Sequence, residues 1–429
     1  MGVVVFGRVA AIRDDEITLW HEDACRTYPA ACRNTPHCAA GDLARLVLDD
    51  QGRWLALTVL TQAADSKADA KREDVLRWRK PDANGHSRMY YLQLRHRFLR
   101  RLQAWFDARG YTELALPVLV PAVNPEAHLA LTWAETGWLS PSPELQMKRM
   151  LSGGFERIVS IGPVFRAREV SPRHNPEFTM VEWYHAWTSL DHVLDELEDL
   201  TYTLWTHSPL HSGDGFLRLA DGKRIRMDAR PWPRVPILKV IRGALGIDIF
   251  GVACPDELYA RGARHGLFAP EHKGERYEEL FTRLWERCEQ ALNFDTPVFI
   301  TEWPSPLASL ARRDPENPGV AKRAELMIAG IELANGFEEL TDAEEQRARF
   351  ERDMETRRQM QSAKRMRGAA DAESKARRAL PKMDEKFLEA LDAGLPPCAG
   401  MALGFERLSM LLAGAAEIRS LLPFGSDEL

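Results

Sequence analysis

The spacing of apolar residues changes near residue 88 of this chain. Before that point, apolar residues stand in short runs rich in β-branched and aromatic side chains: VVVFGRVAAI, EITLW, LARLVLDD and RWLALTVLTQ. After it, apolar residues recur at steps of three and four: Tyr91, Leu94, Phe98, Leu102, Trp105 and Phe106. Short β-branched runs are typical of strands, whereas the second spacing places side chains on one face of a helix. The sequence therefore predicts a small β module followed by a larger domain that contains helices.

The boundaries of these parts follow from the turn-forming residues. We predict an OB-like β-barrel over residues 1–64, a linker over 65–87 and a large domain over 88–429. About five short strands fit in the first part, with DDQG at 49–52 as a hairpin turn. In the large domain, strand-like runs alternate with helical runs, which predicts an α+β fold with a mostly antiparallel sheet.

Composition excludes several classes of protein. The chain has 429 residues, of which 45% are hydrophobic, so it can build a core and is not a disordered chain. A formal net charge of −6 argues against a generally basic nucleic-acid coat. No apolar run approaches the roughly 20 residues of a membrane span, and the N-terminus lacks the basic leader of a signal peptide. We therefore expect a cytoplasmic protein without a membrane anchor.

Three cysteines and a histidine lie close together near the N-terminus: Cys25, Cys32, His37 and Cys38. A zinc site is one interpretation of this group. Reduced loop cysteines are the other, because the paired CxxC spacing of tetrahedral zinc sites is missing.

The segment FRAREVSPRHNPEFTMVEWY, residues 165–184, combines charged and aromatic side chains in a way that neither packing nor solubility requires. Side chains two apart on a strand point to the same face, so Glu182 and Tyr184 can share one wall of a pocket. A carboxylate beside a phenol suits a bound ammonium group. Arg166, which precedes a polar loop, can hold a phosphate with its forked guanidinium. A surface hairpin with scattered charges is the alternative.

Two later segments favour the pocket. GIELANGFEELTD, residues 330–342, places Glu332 and Glu339 near Asn335, and Glu325 lies seven residues before Glu332. Carboxylates near a phosphate-binding arginine predict Mg²⁺ ligands. GMALGFERL, residues 400–408, is a strand of small residues that leads into a helix, where Arg407 can reach a terminal phosphate.

These segments resemble the signature motifs of class II aminoacyl-tRNA synthetases, the lysyl branch in particular. ARGYTELALPVLVPA resembles motif 1, the 165–184 segment resembles motif 2, and GMALGFERLSMLLAGAAEIRSLLPF resembles motif 3. PSPELQMKRML and GIELANGFEELTDAEEQRARF are more closely similar to the family of elongation factor P lysine ligases. The resemblance covers residues 88–429 and implies a class II synthetase-type antiparallel sheet flanked by helices.

The resemblance implies a two-step reaction that uses ATP and Mg²⁺. Lysine or (R)-β-lysine would be activated as an aminoacyl-adenylate and transferred to a lysine of elongation factor P. A homodimer that uses no tRNA is implied as well. Two alternatives stay open: a short lysyl-tRNA synthetase or related ligase that loads another carrier, and a non-catalytic binding protein that retains the fold.

By motif position, the resemblance also implies a role for each matched residue. Those that would bind the amino acid are Ser142, Glu144, Glu182, Tyr184, Glu339 and Ala402. Those that would bind ATP are Arg166, His174, Asn175, Phe178, Glu332, Gly404 and Arg407. Glu325 and Glu332 would hold Mg²⁺, and Arg166 and Arg407 would stabilise the transition state. Ala402 stands where lysyl-tRNA synthetases usually have glycine, which favours (R)-β-lysine as the substrate.

Three features depart from the pattern or go beyond it. Arg168 stands where motif 2 usually has glutamate, with Glu169 next to it. Residues 1–86 carry nearly balanced charge and no clear basic, aromatic face, so we expect a protein-docking module rather than an RNA-binding one. The highly charged stretch 344–378 predicts either a solvated helix or a partner-docking surface.

Overall fold

The computed structural model describes residues 3–13, 16–21, 24–31, 38–61, 78–127, 129–219, 221–291, 294–366, 380–426 and 428. The chain divides into two compact units, Met1–Leu94 with Ser420–Pro423, and Arg95–Arg419 with Phe424–Leu429. Within the described residues, every helix is too short or too polar to cross a bilayer.

The first unit contains a five-stranded antiparallel sheet in the order β3-β2-β1-β4-β5. Its strands are β1 (Val3–Arg13), β2 (Glu16–His21), β3 (Ala24–Pro29), β4 (Leu43–Leu48) and β5 (Trp54–Thr61). A parallel bridge between Ala30 and Trp54 brings the two ends of this order together. Val9, Leu19 and Leu46 are fully buried in the core on one face of the sheet. The segment of β3, ACRTYP, mixes polar residues with a proline, so its strand does not stand out in the sequence.

The cysteine cluster falls in this unit. Cys32 and His37 lie outside the described residues, as does the side chain of Cys25. Burial, together with the nearby carboxylate of Asp42, raises the pKa of the Cys38 thiol to about 11. The zinc interpretation therefore stays a prediction.

The second unit is built on an eight-stranded sheet in the order β14-β15-β16-β17-β18-β11-β10-β6. The strands are β6 (Thr112–Glu113), β10 (Arg157–Phe165), β11 (Glu177–Ala186), β14 (Arg234–Pro236), β15 (Val298–Pro304), β16 (Val320–Ile328), β17 (Ile331–Glu338) and β18 (Cys398–Gly404). All neighbours are antiparallel except β14 with β15 and β10 with β6. The predicted α+β fold with a mostly antiparallel sheet is thus confirmed.

Two small sheets flank the large one. They comprise β7 (Leu119–Val120), β8 (Thr132–Ala134), β9 (Gly137–Leu139), β12 (Phe216–Arg218) and β13 (Arg224–Arg226). The α-helices are α1 (Arg88–Asp107), α2 (Glu144–Ser152), α3 (Leu190–Thr206), α4 (Ile237–Leu245), α5 (Pro255–Arg264), α6 (Tyr277–Ala291), α7 (Ala343–Met366), α8 (Glu385–Asp392) and α9 (Phe405–Ala413). Short 3₁₀ helices lie at Pro270–His272, Ser305–Leu307 and Ile418–Leu421.

Helix α1 has the apolar face that the sequence predicts. All six apolar residues at steps of three and four are buried: Tyr91, Leu94, Phe98, Leu102, Trp105 and Phe106. The helix ends at Asp107, shortly before Gly110, whose φ of 73° continues the chain in a left-handed turn that glycine adopts without strain.

The register of the central strands brings distant segments together. Glu182 of β11 lies opposite Ala402 of β18, and Ala402 in turn lies opposite Asn335 of β17. Tyr184 lies opposite Gly400. A Cβ atom at Gly400 would come within 2.3 Å of the Tyr184 ring and 2.9 Å of Glu339 Oε1. The absence of a side chain at residue 400 therefore allows these two groups to occupy the same side of the sheet.

Candidate active site

One cavity opens on the sheet face formed by β11, β17 and β18. Eleven of the residues singled out in the sequence line it: Ser142, Glu144, Arg166, Phe178, Glu182, Tyr184, Glu332, Glu339, Ala402, Gly404 and Arg407. Residues of the loops before β8 and α2 complete its wall. Four segments that are far apart in sequence thus supply a single site.

The other three residues lie elsewhere. His174 and Asn175 line a smaller cavity, which has Phe178, Gly404 and Arg407 in common with the main one. Glu325 is buried and is not among the residues that line either cavity.

One end of the main cavity is acidic. Ser142 Oγ donates a hydrogen bond to Glu182 Oε2, and the Tyr184 hydroxyl donates one to Glu182 Oε1, both at 2.8 Å. These bonds favour an ionised Glu182. Burial and the nearby Glu144 carboxylate outweigh them and raise the pKa of Glu182 to about 7.

Lys148 of helix α2 lies at this acidic end, and sequence reasoning missed it. Its side chain is completely buried, and its ammonium donates to Glu144 Oε1 at 2.6 Å and pairs with Glu339. Burial alone would lower the pKa of Lys148, but the Glu144 and Glu339 carboxylates reverse that effect and raise it. Lys148 is therefore a fixed cation within the acidic group.

The acidic group contains more carboxyl groups than cations. Burial raises the pKa of Glu339 to about 8 although Lys148 opposes the shift, and Glu144 and Glu182 raise it further. Glu339 Oε1 has no hydrogen-bond partner among the described residues. Three carboxylates against one ammonium leave two negative charges when all four groups are ionised. Such a cluster suits a ligand with two cationic amines.

The opposite end of the cavity is basic. Arg166 lies over the Phe178 ring at 5.5 Å, and its buried Nε has no hydrogen-bond partner within the described part of the chain. Arg407 donates to the backbone oxygen of Glu332 at 3.2 Å. Burial, and then the positive charge of Arg407, lowers the pKa of His174. Two arginines with donors to spare and a neutral histidine form a suitable site for a phosphate chain.

A partly buried ion pair holds the helix that carries Arg407. Glu406 accepts hydrogen bonds from Arg95 at 2.7 Å and from the backbone nitrogen of Thr179 at 2.8 Å. This carboxylate therefore ties the first turn of α9 to strand β11 and to α1. It fixes the position from which Arg407 points into the cavity.

Glu325 and Glu332 form a second acidic pair beside the basic end. Arg323 donates to Glu325 Oε1 at 2.7 Å, yet burial and the repulsion of Glu332 raise the pKa of Glu325 to about 8. Two carboxylates that repel each other near Arg407 match the ligands that Mg²⁺ prefers. The donor set thus fits the predicted ion, with Glu332 alone of the two on the cavity wall.

The backbone is unusual at Arg168, the position at which the chain departs from the motif 2 pattern. Arg168 has a φ of 70°, a left-handed backbone that few residues other than glycine adopt. The next residue, Glu169, lines the smaller cavity together with His174 and Phe178. A carboxylate is therefore present on this side of the site, one position later than the motif places it.

A further titratable cluster, His185, His192 and Glu196, lies outside the cavity. Its ligand atoms lie within 4.8 Å of one another, a spacing that a metal ion could bridge. However, His185 Nε2 already accepts a hydrogen bond from Arg157 Nε at 2.9 Å, and its Nδ1 faces Glu196 at 3.4 Å. We interpret the cluster as a hydrogen-bond network.

Comparison with known proteins agrees with this geometry. The family model of class II tRNA synthetases (D, K and N) matches residues 72–428. A lysine–tRNA ligase of Carboxydothermus hydrogenoformans is 34% identical over 77% of this chain and 64% of its own length. An elongation factor P–(R)-β-lysine ligase of Haemophilus influenzae is 32% identical over 78% of this chain and 94% of its own length. The chain spans just under two thirds of the lysine–tRNA ligases that it matches, 64% and 65% for two of them.

The chain belongs to the class II tRNA synthetase family that contains the aspartyl, lysyl and asparaginyl branches.

Proposed function

We propose that this chain activates a lysine-type diamino acid with ATP and transfers it to a lysine of elongation factor P. The observation that carries the first part is the acidic group: three buried carboxylates around one buried ammonium, in the same cavity as Arg166. When all its carboxyl groups are ionised, the two excess negative charges of this group match the two amines of lysine or β-lysine. Arg166 would take the amino-acid carboxylate and the α-phosphate.

The first step needs positioning more than it needs a protein nucleophile. The amino-acid carboxylate attacks the α-phosphorus of ATP, the bond to the β-phosphate oxygen breaks, and pyrophosphate leaves. Arg166 and Arg407 would hold the phosphates and offset the charge that develops on their oxygens. Class II synthetase-type ligases use Mg²⁺ in general, and Glu325 and Glu332 would hold it here, where it neutralises phosphate charge.

The adenine ring of ATP would lie toward the smaller cavity. Phe178 presents a ring on which adenine can stack, with His174 and Asn175 beside it. Glu169 would accept a hydrogen bond from the adenine amino group, the role that motif 2 normally gives to the residue at the position of Arg168.

In the second step an amine attacks the carbonyl carbon of the acyl-adenylate. An amide bond forms, AMP leaves, and the amine gives up one proton. The acceptor must be deprotonated before it attacks, so the reaction should accelerate as pH rises toward the pKa of the acceptor amine.

Two observations support elongation factor P as the acceptor. The matched segment covers 94% of the elongation factor P ligase but only 64% of the lysine–tRNA ligase. Ala402 lies on the cavity wall, where the lysyl synthetase motif has glycine. Lysyl-tRNA synthesis is the second candidate, because lysine–tRNA ligases match with equal identity, 34% against 32%.

We also propose an OB-like barrel for the first unit and a homodimer for the whole protein. The strand order with its Ala30–Trp54 bridge fits a five-stranded, partly open barrel. The homodimer rests on the resemblance of the segment after α1 to motif 1.

Mass spectrometry of the possible acceptors tests the proposal. The protein would be incubated with ATP, Mg²⁺, and either lysine or (R)-β-lysine, with elongation factor P and tRNA in separate reactions. A mass increase on a lysine of elongation factor P is expected. Aminoacylated tRNA with unmodified elongation factor P would favour the synthetase instead. Failure of ATP–pyrophosphate exchange with both amino acids would leave only the non-catalytic alternative.

Affinity for the diamino acid should fall in acid. Glu182 and Glu339 have pKa values of about 7 and about 8, so both are protonated in the free protein at lower pH and cannot pair with an ammonium. We expect the KM for lysine or β-lysine in the exchange assay to rise at least tenfold between about pH 8.5 and about pH 6.5. The KM for ATP should change less over that range. A flat amino-acid KM would contradict the assignment of these two carboxylates.

Replacing Ala402 with glycine should change the choice between the two amino acids. Removal of one methyl group from a pocket wall changes discrimination by about 1–3 kcal/mol. We expect the ratio of kcat/KM values to move toward α-lysine by about tenfold or more. Ala399→Gly is the matched control, because Ala399 is buried on the same strand and does not line the cavity. An equal ratio in both variants would exclude Ala402 as the selector.

A further inference from the structure

Arg357 of helix α7 reaches from the charged helix to the loop that lines the cavity. Its Nε donates to the backbone oxygen of Pro125 at 2.7 Å, and one terminal nitrogen donates to the backbone oxygens of Leu129, at 2.7 Å, and Glu126. One guanidinium thus binds three carbonyl groups more than 200 residues away in sequence. The sequence motifs give this residue no role.

The loop that Arg357 holds forms part of the cavity wall. It connects β7 with β8, and Asn124, Glu126 and Leu129 line the cavity together with Ser142 and Glu144. Near its end, the oxygen of Ala130 accepts a hydrogen bond from the nitrogen of Ala167, at 2.8 Å, directly after Arg166. The loop is therefore adjacent both to the acidic end of the cavity and to Arg166, which would bind the carboxylate of the amino acid.

The contacts that the loop makes within itself are weaker. Leu129 nitrogen donates to Glu126 oxygen at 3.2 Å, and Glu126 nitrogen donates to Asn124 Oδ1 at 3.2 Å. Hydrogen bonds from a charged guanidinium are shorter and stronger than such neutral ones. A planar fork also fixes the direction of each carbonyl group, which a lysine ammonium cannot do equally well.

We propose that Arg357 is a positioning residue that holds this loop in the conformation that binds the amino acid. That the ligand is an amino acid rests on the proposed function. Without Arg357, the loop would have to be ordered at the moment of binding, and the cost would reduce affinity for the amino acid. None of the residues that line the smaller cavity, where the adenine would lie, belongs to this loop. Affinity for ATP should therefore change little.

Steady-state ATP–pyrophosphate exchange on Arg357→Ala tests the proposal. We expect the KM for lysine or β-lysine to increase about tenfold, with the KM for ATP within about twofold of the wild-type value. Hydrogen exchange of residues 121–131 should become faster in the variant without ligand, and saturating amino acid should restore part of the protection. Arg357→Lys should fall between the two proteins.

Arg358→Ala is the control, because Arg358 is the next residue of the helix, is half exposed and pairs with Glu355 only through a surface contact of 3.3 Å. It should leave both KM values unchanged. Equal increases in the two KM values for Arg357→Ala, or a loss of kcat alone, would overturn the proposal. Wild-type protein without exchange activity would contradict the proposed function instead. Hydrogen exchange would still decide about Arg357, since unchanged protection of residues 121–131 would overturn its role in the loop.

Discussion

Replacing Arg166 with alanine should reduce the rate of ATP–pyrophosphate exchange by about two to three orders of magnitude. The guanidinium lies at the junction of the two proposed ligands, next to Phe178, and its buried Nε lacks a partner among the described residues. Its positive charge would meet the amino-acid carboxylate and the α-phosphate, two anions that repel each other until the bond between them forms. Removal of that charge therefore weakens the transition state more than either ground state.

Arg166→Lys separates charge from shape. Lysine keeps the charge but loses the planar fork, so we expect it to recover less than a tenth of the lost rate. Arg283→Ala, which breaks an exposed ion pair with Glu275, is the control and should leave the rate unchanged. The exchange rate would be measured at saturating ATP and amino acid, with circular dichroism to verify folding. Normal exchange by Arg166→Ala would rule out the proposed position of the phosphates.

The strands of the active-site sheet could be predicted from sequence because their patterns are local. β11 sends every second side chain from Phe178 to Tyr184 to the cavity wall, and β18 is a run of small and apolar residues; both lie where the sequence predicts them. The pairing of β11 with β18, and of β18 with β17, is not local. It depends on register, which places Ala402 between Glu182 and Asn335 and was available only from the structure.

Several residues of the site could not be assigned because their roles depend on partners in other segments. Gly400 matters through Tyr184 and Glu339, and Glu406 matters through Arg95 and Thr179. Lys148 is different, since a local pattern indicated it. It stands three residues from both Leu145 and Leu151, on the buried face of α2, and a lysine at such a position requires a buried carboxylate partner.

In the charged stretch after Glu339, the sequence predicts a helix but does not show which charged side chains turn inward. Charge density alone predicts a solvated helix or a docking surface, and α7 does form over Ala343–Met366. Two of its arginines are nevertheless turned inward: Arg349 donates to the backbone oxygens of Ser309 and Ala311, each at 2.7 Å, and Arg357 binds the loop before β8. Arginine can pair with carbonyl groups as well as with acids, so charge counts do not distinguish these positions from exposed ones.

Replacing Lys148 with methionine should destabilise the protein by about 3–5 kcal/mol near pH 8. Methionine fills a similar volume, so the cost comes from charge and not from a cavity. Glu144 and Glu339 would lose their buried counter-ion, and the pKa of Glu339, which burial already raises, would rise further. A carboxyl group whose pKa is raised by folding contributes its full stability below the unfolded pKa, near 4.3, and that contribution is lost as pH rises through the folded pKa.

The cost of Lys148→Met should therefore shrink in acid, where the carboxyl groups can be protonated. Urea unfolding at about pH 8 and about pH 5.5 measures this difference, and we expect the loss to be at least about 1.4 kcal/mol smaller at the lower pH. Lys386→Met is the matched control, since Lys386 is exposed on α8 and should show little effect at either pH. A loss that is the same at both pH values would mean that packing, and not charge, is what Lys148 supplies. The balance of three carboxylates against one ammonium, from which the preference for a diamino acid was inferred, would then have to be abandoned.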